Sequence, residues 1–231
     1  MPMTSWIWAA FALADASPAT QRIDAIEEAW STINAYCSDF ALGFHSETGS
    51  ALSRGERCWD RRGRMRTATQ HANGTVIDIR GENEVWYSHP DQPVVLHLQG
   101  PPSADEVPSP IGHGIGELVS LVVDSAHVEE MGSVDLNGQE TWRFRLTRAD
   151  RTEAIVFVNS NTKLPVALEL RKSNRAIMSY GLMNLTVDPL LPADFFRIQP
   201  TDSQRLVELN LDPNASNSEE VLRTLENWRR Q

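Results

Sequence analysis

Six histidines, two cysteines and a few carboxylate pairs are the residues of this 231-residue chain with the most chemical potential. His45, His71, His89, His97, His113 and His127 stand apart, without His-x-His, His-x-x-x-His or zinc-type spacing. His97 alternates with Leu96 and Leu98 and reads as a surface residue of a strand. No Gly-x-Ser-x-Gly elbow for a nucleophilic serine occurs. Gly112-His113-Gly114-Ile115-Gly116 has the look of a phosphate cradle. It follows prolines instead of a strand and lacks the lysine, so it reads as a hinge. Glu27-Glu28, Glu129-Glu130 and Glu219-Glu220 are sequence neighbours that point different ways on a helix or strand, as solvated faces do. These residues predict no catalytic group, no metal and no cofactor.

Cys37 and Cys58 are the two residues available for redox chemistry. An exported protein can bridge them. If residues 40–45 and 55–60 pair as a hairpin, Cys58 falls opposite Ala41 or Gly43. Cys37 is then roughly 13–20 Å away along the strand, beyond disulfide reach. Two buried small thiols are the expectation.

The charge balance narrows the partners. With 31 acidic and 21 basic residues the net charge is -10. Nucleic acid needs a basic surface, and so does an anionic lipid surface, so neither is expected. An interior apolar site remains open. The apolar share of 41% supports a real core. The length suits one large β domain or two small ones.

Residues 6–14 are an unbroken apolar run, followed by Ala12-Leu13-Ala14 and Ala14-Asp15-Ala16. This is the layout of a secretory segment over residues 1–16, although no Lys or Arg precedes it. An ordinary apolar arm is the other reading. Nine residues are too few to span a bilayer as a helix. The expectation is an exported, periplasmic protein, monomeric in solution.

Several elements follow from periodicity. Ile23, Ile26, Trp30, Ile33 and Cys37 recur at helical steps and predict an amphipathic helix over residues 22–37. Alternation then predicts six short strands between residues 40 and 99, with turn residues every 8–12 positions. Pro101, Pro102, Pro108 and Pro110 interrupt the pattern, and an apolar helix follows over 115–123. Five further strands are predicted over 126–131, 140–147, 153–158, 165–171 and 176–182. Val221, Leu222, Leu225 and Trp228 predict an amphipathic tail helix over 218–230. About eleven strands exceed a comfortable flat sheet. The fold class predicted is mainly β (α+β), a curved antiparallel half-barrel with helices covering its concave face. The sheet domain is placed at residues 21–200 and a C-terminal extension at 201–231.

In that order the residues resemble the outer-membrane lipoprotein-sorting (LolA-like) family. The likeness rests on the first helix, Phe40-Ala41-Leu42, Gly55-Glu56-Arg57-Cys58-Trp59 and Gly63-Arg64-Met65-Arg66. It continues through Arg80-Gly81, Val85-Trp86-Tyr87, the turn 158–165 and Pro192-Ala193-Asp194-Phe195-Phe196. Asn83-Glu84 departs from the usual stretch before Trp-x-Tyr, and the tail beyond Pro200 has no counterpart. The resemblance implies a half-barrel closed from inside by helices. It also implies a periplasmic carrier of acylated lipoproteins or lipids, with membrane donor and acceptor proteins as partners. Alternatives are a lipid-sensing envelope module of the same fold, and an accessory or hydrolytic protein without lipid.

For a carrier, the expected lining is Phe40, Leu42, Phe44, Trp59, Met65, Ile77, Ile79, Trp86, Leu96 and Trp142. The expected lid is the first helix through Ile26, Trp30 and Ile33, with residues 115–123 as a second piece. The resemblance makes Arg66 the family's strand-start arginine, implying that its planar fork braces the lid by donating to helix carbonyls. A closed core and a solvated strand arginine are the competing readings of these residues.

Overall fold

A computed structural model describes residues 18–100, 114–125, 127–147, 152–173 and 175–210. The apolar run at 6–14, the prolines of 101–110, Gly112, His113 and the tail helix at 218–230 lie outside the described residues.

The chain runs α1 (Pro18–Thr32), β1 (Ala35–Ser46), β2 (Gly49–Asp60), β3 (Met65–His71), β4 (Gly74–Arg80), β5 (Glu84–Ser88) and β6 (Val94–Gln99). After α2 (Ile115–Val123) come β7 (Val128–Leu136), β8 (Gln139–Thr147), β9 (Thr152–Asn159), β10 (Pro165–Lys172), β11 (Arg175–Val187) and β12 (Arg205–Asn210). All twelve strands form one open, curved sheet in the order β12-β6-β5-β4-β3-β2-β1-β11-β10-β9-β8-β7. β1 to β6 pair in succession as antiparallel hairpins, and so do β7 to β11. β1 and β11 close the middle, and β12 alone among them runs parallel, beside β6. Local chemistry sets the turns. Asn137 (φ 56°) and Gly138 (φ 80°) supply the two positive φ values of the β7–β8 turn, and Gly138 N–H donates to the Asp135 carboxylate at 2.8 Å.

The mainly β fold with helical cover stands as expected, with a twelfth strand. β12 lies past residue 200, where the sheet domain was expected to end. Leu206 to Leu209 were too short a run to stand out beside the tail.

Helix α1 ends at Thr32, five residues before the predicted Cys37. Ser31 and Thr32 turn their hydroxyls back onto the Glu28 and Ala29 carbonyls, a habit that weakens helix continuation. Asp188 then accepts from the N–H groups of Asn34 and Ala35 at 2.8 and 2.9 Å, fixing the start of β1. Those two bonds hold its carboxyl below the usual carboxylate range.

The cysteines are also corrected. Cys37 and Cys58 are directly opposite across β1 and β2, with Cα atoms 4.1 Å apart, and are joined as a disulfide. The hairpin turns at Glu47-Thr48, and both strands run twelve residues. The free-thiol expectation failed because it shortened the strands and set the wrong register, and register decides which residues meet.

Candidate functional site

Strand alternation assigns each side chain to a face. Trp59 stands opposite Met65, and Met65 opposite Arg80. Tyr36, Phe40 and Leu42 share the Trp59 face on β1. Leu182, Tyr180 and Met178 continue it on β11, then Leu168, Val156 and Phe144 on β10, β9 and β8. This is the concave, helix-covered face. Ile26 of α1, Ile33 just past its end, and Ile115, Leu118, Val119 and Val122 of α2 pack onto it in one cluster. Both helices present apolar stripes, as period 3.6 requires of an element lying on a sheet.

Expected lining residues divide between the faces. Phe40, Leu42, Trp59 and Trp142 belong to the helix-covered cluster. Met65 borders it beside Trp59. Phe44 lies on the same face near its open end and is 43% exposed. Leu96 has the same facing but packs apart, with Val85, Leu98, Val207 and Leu209. Ile77, Ile79 and Trp86 are on the opposite, convex face, so their place in the lining is withdrawn. They pack with Val95 under Leu191, Phe195, Phe196 and Ile198 of the segment between β11 and β12. An apolar alternation reports two faces without saying which is which. Here both are covered, and the sequence alone offered no way to orient β4 and β5.

Ile26 and Ile33 lie in the cluster on this face, and Trp30 packs against it. Trp30 stacks against Trp59 at 4.8 Å between ring centroids, and Trp59 against Tyr36 at 5.8 Å. A Cβ on Gly116 would stand 2.9 Å from the Trp30 ring, so α2 approaches α1 closely only because residue 116 has no side chain.

Arg66 is not the brace. It opposes Cys58 and Ile79, which sets it on the convex face, 5.1 Å over the Phe195 ring. The bracing geometry exists five residues earlier. Arg61, in the turn between β2 and β3, donates from Nε to the Ile33 carbonyl at 2.9 Å and from Nη2 to the Ser31 carbonyl at 2.5 Å. Arg61 reaches the helix end because its turn lies against the residues that follow α1, with its own N–H on the Asn34 carbonyl.

Two further polar ties hold the cover near its ends. Arg22 of α1 pairs with Glu130 of β7, and its guanidinium lies 4.7 Å over Trp142. The first N–H of α2, at Ile115, donates to the Tyr36 hydroxyl at 3.1 Å. Burial raises the phenol pKa of Tyr36 and of Tyr180. Much of the interface between the helices and the sheet is apolar. Ile26, Phe40, Ile115, Leu118 and Val122 are fully buried, so the helices themselves fill the trough of the sheet.

His97 is corrected from surface to interior. It is 6% exposed and stacked on Trp86 at 3.7 Å. Its ring nitrogens lie 3.1 Å from Glu208 and 3.3 Å from Glu84. It forms part of the wall of a cavity of about 550 Å³ on the convex rim, with Arg62, Arg64 and Gln99. No signal in the sequence distinguished a strand histidine under an edge strand from one facing water. Among the described residues no group of three or more His, Cys, Asp or Glu side chains is placed to hold a metal. Nor is any described helix long and apolar enough to cross a membrane.

No family model matches this sequence, and no curated protein matches it. Solved structures do match its fold. An uncharacterized conserved protein of Thermus thermophilus is 11% identical over 83% of this chain and 99% of its own, with a TM-score of 0.54. A chain of the Pseudomonas aeruginosa MucA/MucB complex is 13% identical, with a TM-score of 0.48. That match covers 83% of this chain and 64% of the other. A LolA superfamily protein of Nitrosomonas europaea is 10% identical over 79% of this chain and 99% of its own, with a TM-score of 0.39. At these identities the likeness is one of fold.

Proposed function

We propose that the chain is a non-catalytic periplasmic carrier that holds the acyl chains of lipoproteins or lipids against the concave face of its sheet. In this reading α1 and α2 are the displaceable cover. One observation carries it: among the described residues, an apolar face running from β2 through β1 and β11 to β8 is closed by two separate helices, and not by a second sheet.

The energetics suit exchange. Each buried CH₂ of an acyl chain contributes about 0.8 kcal/mol, so one long chain represents on the order of 10 kcal/mol. Such cargo needs a dry surface and no covalent chemistry. The described closed state already hides the same kind of surface under Ile26, Ile33, Leu118 and Val122. Replacing helix side chains by an acyl chain trades one apolar contact for another, leaving open and closed states close in energy. Cargo or a docking partner can then shift the balance.

The test has two stages. Native mass spectrometry of the purified full chain should show co-purified acyl lipid, and a chain that takes up no acyl ligand would end the proposal. Movement of an acylated lipoprotein from the loaded protein to acceptor vesicles separates a carrier from a lipid-sensing module, which would bind without delivering.

A further inference from the structure

The concave face also holds a charge that an acyl chain does not need. Arg57, in the middle of β2, is 1% exposed. Its guanidinium lies 5.4 Å over the Phe40 ring and 5.8 Å from the Tyr180 ring. Among its contacts, Nη1 donates to the Tyr180 hydroxyl at 3.3 Å and Nε to the Thr67 hydroxyl at 3.4 Å. Directly opposite Arg57 on β1 stands Ser38. Ser38 is 2% exposed, and its buried hydroxyl has no hydrogen-bond partner among the described residues.

These side chains are rich in N–H and O–H donors. A serine hydroxyl is normally satisfied when buried, and a buried cation is costly to keep. Ser38 is the group left short. Set across one ladder from a buried guanidinium, inside the apolar face proposed for cargo, it points to an acceptor with negative charge. Glu117 rides on α2 and is exposed. After burial itself and the opposing pull of Arg57, its carboxylate is among the influences that raise both the Tyr36 and Tyr180 phenols. Lifting α2 would carry that charge away and leave the donors facing the incoming ligand.

We propose that Arg57 and Ser38 form the subsite for the anionic head, carboxylate or phosphate, of an acyl ligand lying on the concave face. The proposal rests on the acyl-binding reading and deepens it, from any apolar cargo to acyl molecules with a negative head. A planar guanidinium suits either anion by paired N–H donation.

Equilibrium binding of laurate, dodecyl phosphate and methyl laurate to the full chain tests it, because the three carry similar alkyl chains and differ in charge. Both anions, or the one whose head fits, should bind at least about tenfold more tightly than the ester. Arg57→Gln should erase that preference while ester binding persists, and Arg57→Lys should keep part of it. Ser38→Ala, a small change that leaves the cation in place, should weaken the anions several-fold and leave the ester unaffected. Should Arg57→Gln not fold, the wild-type comparison and Ser38→Ala decide the matter. Equal binding of ester and anions by the wild-type protein overturns the anionic subsite and leaves the acyl-binding reading intact. Failure of all three ligands to bind removes both.

Discussion

Arg61 clamps the end of α1 to the sheet through the Ile33 carbonyl, with Nε donating at 2.9 Å. Its own backbone N–H donates to the Asn34 carbonyl at 2.8 Å, so turn and helix end hold each other from both sides. Arg61→Leu should free the last turn of α1 while costing about 1 kcal/mol or less of global stability, since the side chain is exposed. Hydrogen exchange of the α1 amides reads this directly. Arg66→Leu should leave α1 exchange unchanged, because Arg66 lies over Phe195 on the other face. Faster α1 exchange in the Arg66 variant, with none in the Arg61 variant, would reverse the assignment.

The Cys37–Cys58 bridge ties β1 to β2 beneath the aromatic stack that receives α1. It closes a loop with a sequence separation of 21. Replacing both cysteines by serine should lower stability by about 2–4 kcal/mol, measured as a shift in the urea midpoint with little change in slope. An unchanged midpoint would show that the cross-link contributes nothing.

Phe196 is 2% exposed and covers Ile79 and Trp86 on the convex face, with the Arg64 guanidinium 4.4 Å over its ring. Phe196→Ala should cost about 3–5 kcal/mol and leave acyl-ligand affinity unaltered in the folded protein. A large loss of affinity without loss of stability would move the binding site to the convex face.

The two buried phenols set an alkaline limit. Burial, with smaller electrostatic influences, raises Tyr36 and Tyr180 above the ordinary 10.0. Above about pH 10 the unfolded chain releases these protons while the folded chain keeps them. The native state then binds more protons, so stability is full below that pH and falls as pH rises through the native values. Tyr180→Phe should make the alkaline fall shallower in pH-dependent urea titrations. An unchanged slope would mean Tyr180 ionises freely in the folded protein.

Much of this architecture was legible from local pattern. α2 was placed at its observed bounds, because Ile115, Leu118, Val119 and Val122 form an unbroken apolar stripe. The strands before and after it were found because turn residues punctuate them. What escaped was long-range. The disulfide depended on the β1–β2 register, and a longer hairpin brought Cys37 opposite Cys58. The exclusion of Ile77, Ile79 and Trp86 from the lining depended on a second covering segment around Phe196. Arg57 was read as part of a family motif, and Ser38 was not singled out. Their significance comes from facing each other under a helix, which no single-strand pattern records.

The account depends most on acyl chains lying under α1 and α2 on the concave face. A photoreactive fatty acid with its diazirine near the chain end, cross-linked to the full protein and mapped by peptide mass spectrometry, tests this directly. Adducts are expected on Phe40, Leu42, Trp59 and the inward residues of α2, with competition by unlabelled fatty acid. Competable adducts confined to the convex cluster around Ile79, Trp86 and Phe196, or no competable adducts anywhere, would contradict it.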